Sequence, residues 1–435
     1  MAKKLWGGRF KEKIDKDFFD FQKSIDYDYK LAEYDIYHSI IHVFALGRAK
    51  ILAGKECSVL VKALLDILGE IVGNKFKPSR ESEDIHTEIQ NRVEKKVGKL
   101  ALKLHTLRSR NDQIVFDEKL YCHREASLVS DLLDGLVSTL KYLQNKYNGY
   151  SWVGYTHTQR AQQIAFKDYL AAFSYMFMRD KSRLIDFRKK STALIGSGAF
   201  KGTILTKEYD MAIKDFLKIP KKIVLELASV INAPDNVSDR DFVIEFLSTL
   251  SILQMHLSRL AEDFILYSTK EFNYLDLPEE FCTGSSLMPH KKNPDFLELV
   301  RGYTGPIYGN LISLLTTMKG LPLTYNRDMQ LDKGPLFSSV DIIKDELRIM
   351  ARFIKNIKVN KEAIDNALND ETLYATELAE ILVLKGIPFK EAHTVMGKIV
   401  RYSQDNNIKI KDMPDSLLKT FCSKLNQKGI KHILN

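Results

Sequence analysis

Between Asp239 and Thr269 the apolar residues Val243, Phe246, Leu250, Leu253, Leu257, Leu260 and Phe264 recur at steps of three and four. That spacing lines them along one face of an α-helix, as an a/d seam sustained over several turns. A helix of about 30 residues spans about 45 Å at 1.5 Å per residue. Segments 111–147, 161–189, 292–319 and 335–357 carry similar periodicity, so the pattern predicts one elongated bundle of long helices. Apolar faces of that length are commonly buried against other subunits. Residues 1–108 instead alternate short helical patterns with turn signals, including a helix from Asp28 to Leu52 and one opened by the acidic run Glu81-Ser82-Glu83-Asp84. Beyond residue 358 the helical patterns shorten again, with a turn at Gly386-Ile387-Pro388. The predicted fold class is mainly α in three domains: 1–108 mostly helical, 109–358 the long-helix bundle, and 359–435 a small helical domain.

Composition narrows the class. The 435 residues are 45% hydrophobic and 28% charged, the balance of a folded globular chain. The net charge of +9 invites a nucleic-acid reading, but Lys and Arg are scattered without a basic tract or interleaved aromatics, so no nucleic-acid partner is expected. No apolar run approaches a membrane span, and Met1 to Gly8 lacks the apolar centre of a signal peptide, so no membrane partner and a cytoplasmic location are expected. Trp6-Gly7-Gly8-Arg9-Phe10 reads as a loop tied down by its aromatics. Cys57, Cys122, Cys282 and Cys422 lie far apart, with neither a disulfide framework nor zinc-ligand spacing.

The polar run from Gly284-Ser285-Ser286 through His290-Lys291-Lys292-Asn293-Pro294-Asp295 interrupts the periodic segments. Asn293 and Pro294 read as the N-cap and first-turn residues of a helix through Phe296, Leu299 and Val300. The preceding residues then form a loop aimed at a helix N-terminus, where unpaired N–H groups and the macrodipole favour negative charge. Gly284 supplies hinge freedom, and Lys291 and Lys292 add positive charge; a capped turn with solvated lysines is the plainer alternative. In His105-Thr106-Leu107-Arg108-Ser109-Arg110-Asn111-Asp112-Gln113, the two arginines offer planar forks for carboxylate and Asn111 an amide that donates and accepts. An isolated Arg-Ser-Arg triplet is usually surface. His157, within Tyr155-Thr156-His157-Thr158-Gln159, and His86 both also fit helix-start residues, as do Ser24 and Asp28. The cluster Gly196-Ser197-Gly198 with Gly202 follows no strand of a βαβ unit, which argues against a nucleotide site. Tyr325-Asn326-Arg327-Asp328-Met329-Gln330-Leu331-Asp332-Lys333 fits an ordinary polar linker between two helices.

Together these runs resemble the argininosuccinate lyase family of the fumarase/aspartase superfamily, whose members break C–N or C–O bonds and release fumarate. The similarity extends from Trp6 to the Ala392-His393 region. It implies a small-molecule substrate, argininosuccinate, cleaved reversibly to L-arginine and fumarate by general acid/base catalysis, with no metal and no cofactor. By resemblance the catalytic residues are Ser285 as base, His157 as acid or proton shuttle, Glu298 orienting His157, and Lys291 at the developing dianion. Ser24, Arg110, Asn111, Thr156, Asn293, Tyr325, Gln330 and Lys333 are implied to bind substrate. Which of Ser285 and His157 gives and which takes the proton stays open. The resemblance also implies a homotetramer whose sites each draw on three chains, because the matching runs would lie at different ends of parallel rods. The chain departs from the family at Leu107 (normally Gly), Gln163 (Pro) and His290 (Gln), and ends at Asn435, earlier than the resemblance implies. A sibling lyase with another leaving group, such as adenylosuccinate lyase, aspartase or fumarase, and a catalytically silent crystallin-like relative are the alternatives. The Arg-Ser-Arg-Asn-Asp-Gln run speaks against the first, and Ser285, His157 and Lys291 against the second.

Overall fold

The computed structural model describes residues 12, 14–218 and 227–434; the Trp6–Phe10 loop lies outside them. The chain is mainly helical, as the periodicity predicts. Its longest helices are Arg110–Lys146, Asp241–Ser268, Phe166–Lys190 and Lys333–Asn356. The seam holds: Val243, Phe246, Leu250, Leu253, Leu257 and Leu260 are fully buried. The described residues form two compact units, one from those within Met1–Asp134, Met178–Leu257 and Gly302–Arg348, the other from those within Gly135–Phe177, Ser258–Arg301 and Ile349–Asn435.

In the first unit helix Ala32–Arg48 is buried along most of its length. It packs on Thr206–Phe216 through Tyr37 against Phe216 and through a buried 2.6 Å bond between His42 Nδ1 and the Tyr209 hydroxyl. Asp112, buried in the first turn of Arg110–Lys146, accepts from Gly196 N at 3.0 Å and Ser197 N at 3.1 Å. The expectation that no strand of a βαβ unit precedes this glycine cluster needs correcting, because strand Ala193–Ile195 leads into Gly196 and pairs in parallel with Leu227–Ser229 across helix Thr206–Phe216. What argues against a nucleotide is that the loop's amides already hold a carboxylate of their own chain.

Two further expectations need correcting. Segment 161–189 is not helical throughout: Gln159–Ala165 is a strand, antiparallel to Ser151–Thr156, and the helix begins at Phe166. What overrides the helical pattern is an aromatic anchor. Fully buried Trp152 packs on Phe166, Tyr169, Tyr267 and Tyr274, at centroid distances of 4.9 to 5.3 Å, so the hairpin is fixed by tertiary contact rather than local propensity. Segment 292–319 is likewise two helices, Asp295–Gly302 and Thr304–Met318. Pro306 has no N–H to give the carbonyl of residue 302 and its ring crowds that turn, so the helix restarts at Thr304. Helices Ala375–Leu384 and Phe389–Asn406 bury Leu382, Ala392, Met396 and Ile399 in a cluster with Ile410 and Leu418.

Candidate active site

In the second unit, residues 283–293 form a loop closed on itself. Thr283 N donates to Asn293 O at 3.2 Å and Asn293 N to Thr283 O at 2.8 Å. Asp295 grips the same stem, accepting from Thr283 N at 3.1 Å and Thr283 Oγ1 at 2.6 Å. The first helical bond runs from Glu298 N to Pro294 O, so the cap position is Pro294, one residue later than expected, because the Asn293 backbone is engaged in the bridge. The two lysines, alike in sequence, separate. Lys292 is spent on the stem, with Nζ 2.7 Å from Asp276 Oδ1 and 2.7 Å from Leu277 O, whereas Lys291 is exposed and its ammonium has no partner among the described residues. Within the loop Ser285 Oγ accepts from Leu287 N at 3.3 Å and Met288 N at 3.0 Å. Donors aimed at that oxygen favour the alkoxide over the hydroxyl.

His157 stands at the hairpin tip and is exposed, as is Thr156. It is a turn residue rather than the helix-start residue considered above. His157 and Thr158 have φ of 54° and 58°, the pair of left-handed residues of a type I′ two-residue turn, where Asn-Gly is the favoured sequence. A β-branched Thr there is strained, and strain held by surrounding structure is the kind of feature that marks functional positions. Arg160 Nη1 holds the hairpin by a 3.3 Å contact to Asp370 Oδ2. Glu298 is exposed and lies 3.8 Å from Arg301; within the chain no hydrogen bond or ion pair among the described residues joins it to His157.

The first unit gathers a different set. Ser109 caps helix Arg110–Lys146, its hydroxyl accepting from Asn111 N at 3.2 Å. Arg110 and Asn111 thus occupy the positive end of a 37-residue helix, and the Asn111 side chain is unpartnered among the described residues. Arg110 is held by Asp84 Oδ2 at 3.1 Å, Thr87 Oγ1 at 3.1 Å and Gln113 Oε1 at 3.3 Å. Ser24 is buried and donates to Asp28 Oδ2 at 2.6 Å; the Asp28 carboxyl is pushed up to about 6 by burial and by Asp84 nearby. Gln330 reaches Gln22 O at 2.9 Å, and burial raises the Tyr325 hydroxyl above its usual range. Lys333 is 2% exposed, paired with Glu118 Oε1 at 2.6 Å and Asp332 Oδ1 at 2.8 Å. Arg240 closes this buried quartet through Asp332 and, at 3.4 Å, Glu118. Two cations thus offset two carboxylates, the pairing a buried charge requires.

Leu107, immediately before this motif, has φ 58°, a conformation that glycine takes without cost. Gln113 and Asp84 went unassigned from sequence, although both lie in runs that were singled out. Asp35, His86 and Asp117 bring metal-ligand atoms within 4.8 Å of one another, yet His86 Nδ1 to Asp35 Oδ1 at 2.9 Å is a hydrogen-bond distance. The charge and hydrogen bond of His86 outweigh burial and hold Asp35 below the carboxylate range, while burial and Asp35 drive Asp117 well above it. Asp117 stands further off, with its Oδ2 3.5 Å from His86 Nδ1.

Residues 8–309 match the family model described as lyase, and residues 372–435 the one described as argininosuccinate lyase C-terminal. Argininosuccinate lyase of Caldanaerobacter subterraneus subsp. tengcongensis is 44% identical over 96% of this chain and 93% of its own. That of Geotalea daltonii is 45% identical over 95% and 88%. In fold, the chain resembles EDDS lyase in complex with formate, with a TM-score of 0.79, 21% identity and coverage of 96% and 82%. Class II fumarase from Schistosoma mansoni gives a TM-score of 0.77 at 16% identity, covering 94% and 90%.

Proposed function

The chain belongs to the argininosuccinate lyase family, and on that premise we propose how its residues carry out the family's reaction, the reversible elimination of argininosuccinate to L-arginine and fumarate. The difficult step is loss of a weakly acidic proton beside a carboxylate, which leaves a doubly charged aci-carboxylate before the nitrogen departs. Ser285 takes or returns that proton, and its two backbone donors are the observation that carries the proposal, since they stabilise the form a hydroxyl normally avoids. Lys291, unlike its neighbour Lys292, keeps a free ammonium for the dianion, and Asn293 sits at the stem beside it. His157 transfers the second proton, to or from the leaving guanidino nitrogen, with Glu298 orienting the ring. Arg110 and Asn111 at the helix start hold a substrate carboxylate, with Ser24, Thr156, Tyr325, Gln330 and Lys333 completing the binding set. Buried and already paired with Glu118 and Asp332, Lys333 serves that set by fixing the Tyr325–Lys333 segment rather than by gripping substrate in the open.

We further propose a homotetramer with sites shared between subunits, the division 1–108, 109–358 and 359–435, and a cytoplasmic location in arginine biosynthesis. No helix among the described residues is long and apolar enough to cross a membrane. Supporting self-association, Tyr308, Ile312 and Leu315 form an exposed stripe at helical spacing on Thr304–Met318, with Ile312 60% exposed.

The test is turnover of argininosuccinate by purified protein, followed by fumarate absorbance in the ultraviolet. Ser285→Ala and His157→Asn should each lower kcat by a factor of about 10² to 10⁴ with circular dichroism unchanged. Near-normal rates in both, or turnover of malate or aspartate alone, would refute the assignment.

A further inference from the structure

Gln113 is 1% exposed and is engaged at both ends. Its Nε2 donates to Asp35 Oδ1 at 2.7 Å, and its Oε1 accepts from Arg110 Nη1 at 3.3 Å. The orientation of the amide follows from chemistry. Asp35 also receives His86 Nδ1 at 2.9 Å and remains ionised, so it can only accept. The NH₂ of Gln113 must face it, which leaves the carbonyl oxygen for Arg110.

Three of the five guanidinium N–H groups of Arg110 are then fixed, on Asp84, Thr87 and Gln113, and among the described residues one remains without a partner on each terminal nitrogen, open to a ligand. Asp84 contributes charge and Thr87 a short hydroxyl, both on or beside helix Ile85–Val97. Gln113 alone ties Arg110 back to the buried Asp35–His86 pair. We propose that Gln113 is a positioning residue that fixes the plane of the Arg110 guanidinium, so that its two free N–H groups meet the substrate carboxylate already aligned. Asp35 acts one step further back by choosing the amide's orientation. This rests on the proposed role of Arg110 in carboxylate binding.

An arginine held by an amide keeps its full charge, whereas a second carboxylate at the same place would cancel it. The choice of glutamine is therefore chemical and not only steric. Gln113→Leu keeps the volume and removes both hydrogen bonds, so substrate must order Arg110 itself, a cost that falls on binding.

The experiment measures kcat and KM for argininosuccinate and, by calorimetry, the Kd of succinate as a plain dicarboxylate probe. It compares wild type, Gln113→Leu, Gln113→Glu and Arg110→Lys, with Gln113→Leu also made in the Arg110→Lys background. The expected result for Gln113→Leu is a rise of about ten-fold in KM and in succinate Kd, with kcat within about three-fold of wild type, and no further rise when Arg110 is already Lys. Gln113→Glu should weaken succinate at neutral pH and regain affinity as the introduced carboxyl is protonated. A purely structural role predicts a lower kcat at unchanged KM, or the same effect in both Arg110 backgrounds, and either result overturns the inference, as does a wild type that binds no succinate. If Gln113→Leu does not fold, Gln113→Glu decides: succinate affinity unchanged across pH overturns it too. A wild type that binds succinate but does not cleave argininosuccinate strikes instead at the functional reading beneath.

Discussion

Glu346 lies 4% exposed on helix Lys333–Asn356, with Gln254 Nε2 at 3.3 Å from its Oε1. Burial pushes its carboxyl from 4.5 up to about 8, with only the Gln254 bond pulling back. Below pH 4.5 the folded and unfolded states both hold the proton and nothing is lost. Between 4.5 and 8 the unfolded chain ionises while the folded one retains its proton, so stability falls as pH rises, by on the order of 3 kcal/mol at pH 7. Glu346→Gln keeps the shape and a partner for Gln254, and should therefore raise Tm at pH 8 and flatten its slope between pH 5 and 8. An unchanged slope in thermal melts would show that Glu346 is ionised in the folded state. Such a site is invisible in sequence, where Glu346 looks like any charged helix residue. So is the difference between Lys291 and Lys292, which depends on where Asp276 lies. The loop that carries Ser285, by contrast, was legible as a loop leading into a helix, because its run combines glycine, polar residues and a helix start within a few residues.

At the scale of elements, the long helices were readable because burial follows a period the sequence states directly: all but one of the seven seam residues named are fully buried, and Phe264 is 1% exposed. The hairpin was not, since Gln159–Ala165 carries polar residues on both faces and its tip lacks the Gly or Asn that announces a left-handed turn. The loop that carries Ser285 is an element in its own right, held by a stem rather than by a core. Leu287 in it is 84% exposed, so its geometry depends on the Thr283–Asn293 bridge and on the grip of Asp295. Thr283→Val removes the 2.6 Å hydroxyl bond to Asp295 while conserving volume. A charge-assisted bond of about 1.5 kcal/mol corresponds to roughly ten-fold in the equilibrium constant between ordered and disordered loop. The expected outcome is kcat lowered by up to about ten-fold, faster proteolytic cleavage between residues 284 and 292, and Tm shifted by less than about 2 °C. Faster cleavage with full kcat would mean that loop order is not needed for turnover.

At the scale of the molecule, the candidate residues are divided. Ser285, Lys291, Asn293, Glu298, Thr156 and His157 belong to one compact unit, and Ser24, Arg110, Asn111, Tyr325, Gln330 and Lys333 to the other. Even inside its own unit His157 makes no bond to Glu298, the residue proposed to orient it. A base on a loop and an acid on a hairpin tip can serve one reaction if different copies of the chain supply them, which is the arrangement proposed for the tetramer. Complementation follows from that arrangement. Ser285→Ala and His157→Asn are each expected to be inactive, but a hybrid assembled from both contains some sites where the intact Ser285 of one copy meets the intact His157 of another. Mixing the two variants, dissociating them gently and letting them reassociate should restore fumarate release, whereas either variant taken alone through the same cycle should not. The oligomeric species must be sized alongside, and a tag on one variant must recover the other, so that hybrids are known to have formed. Proven hybrids that remain as inactive as their parents would place Ser285 and His157 in the same chain at every site. The exposed Tyr308, Ile312 and Leu315 stripe would then be left to explain assembly without catalysis.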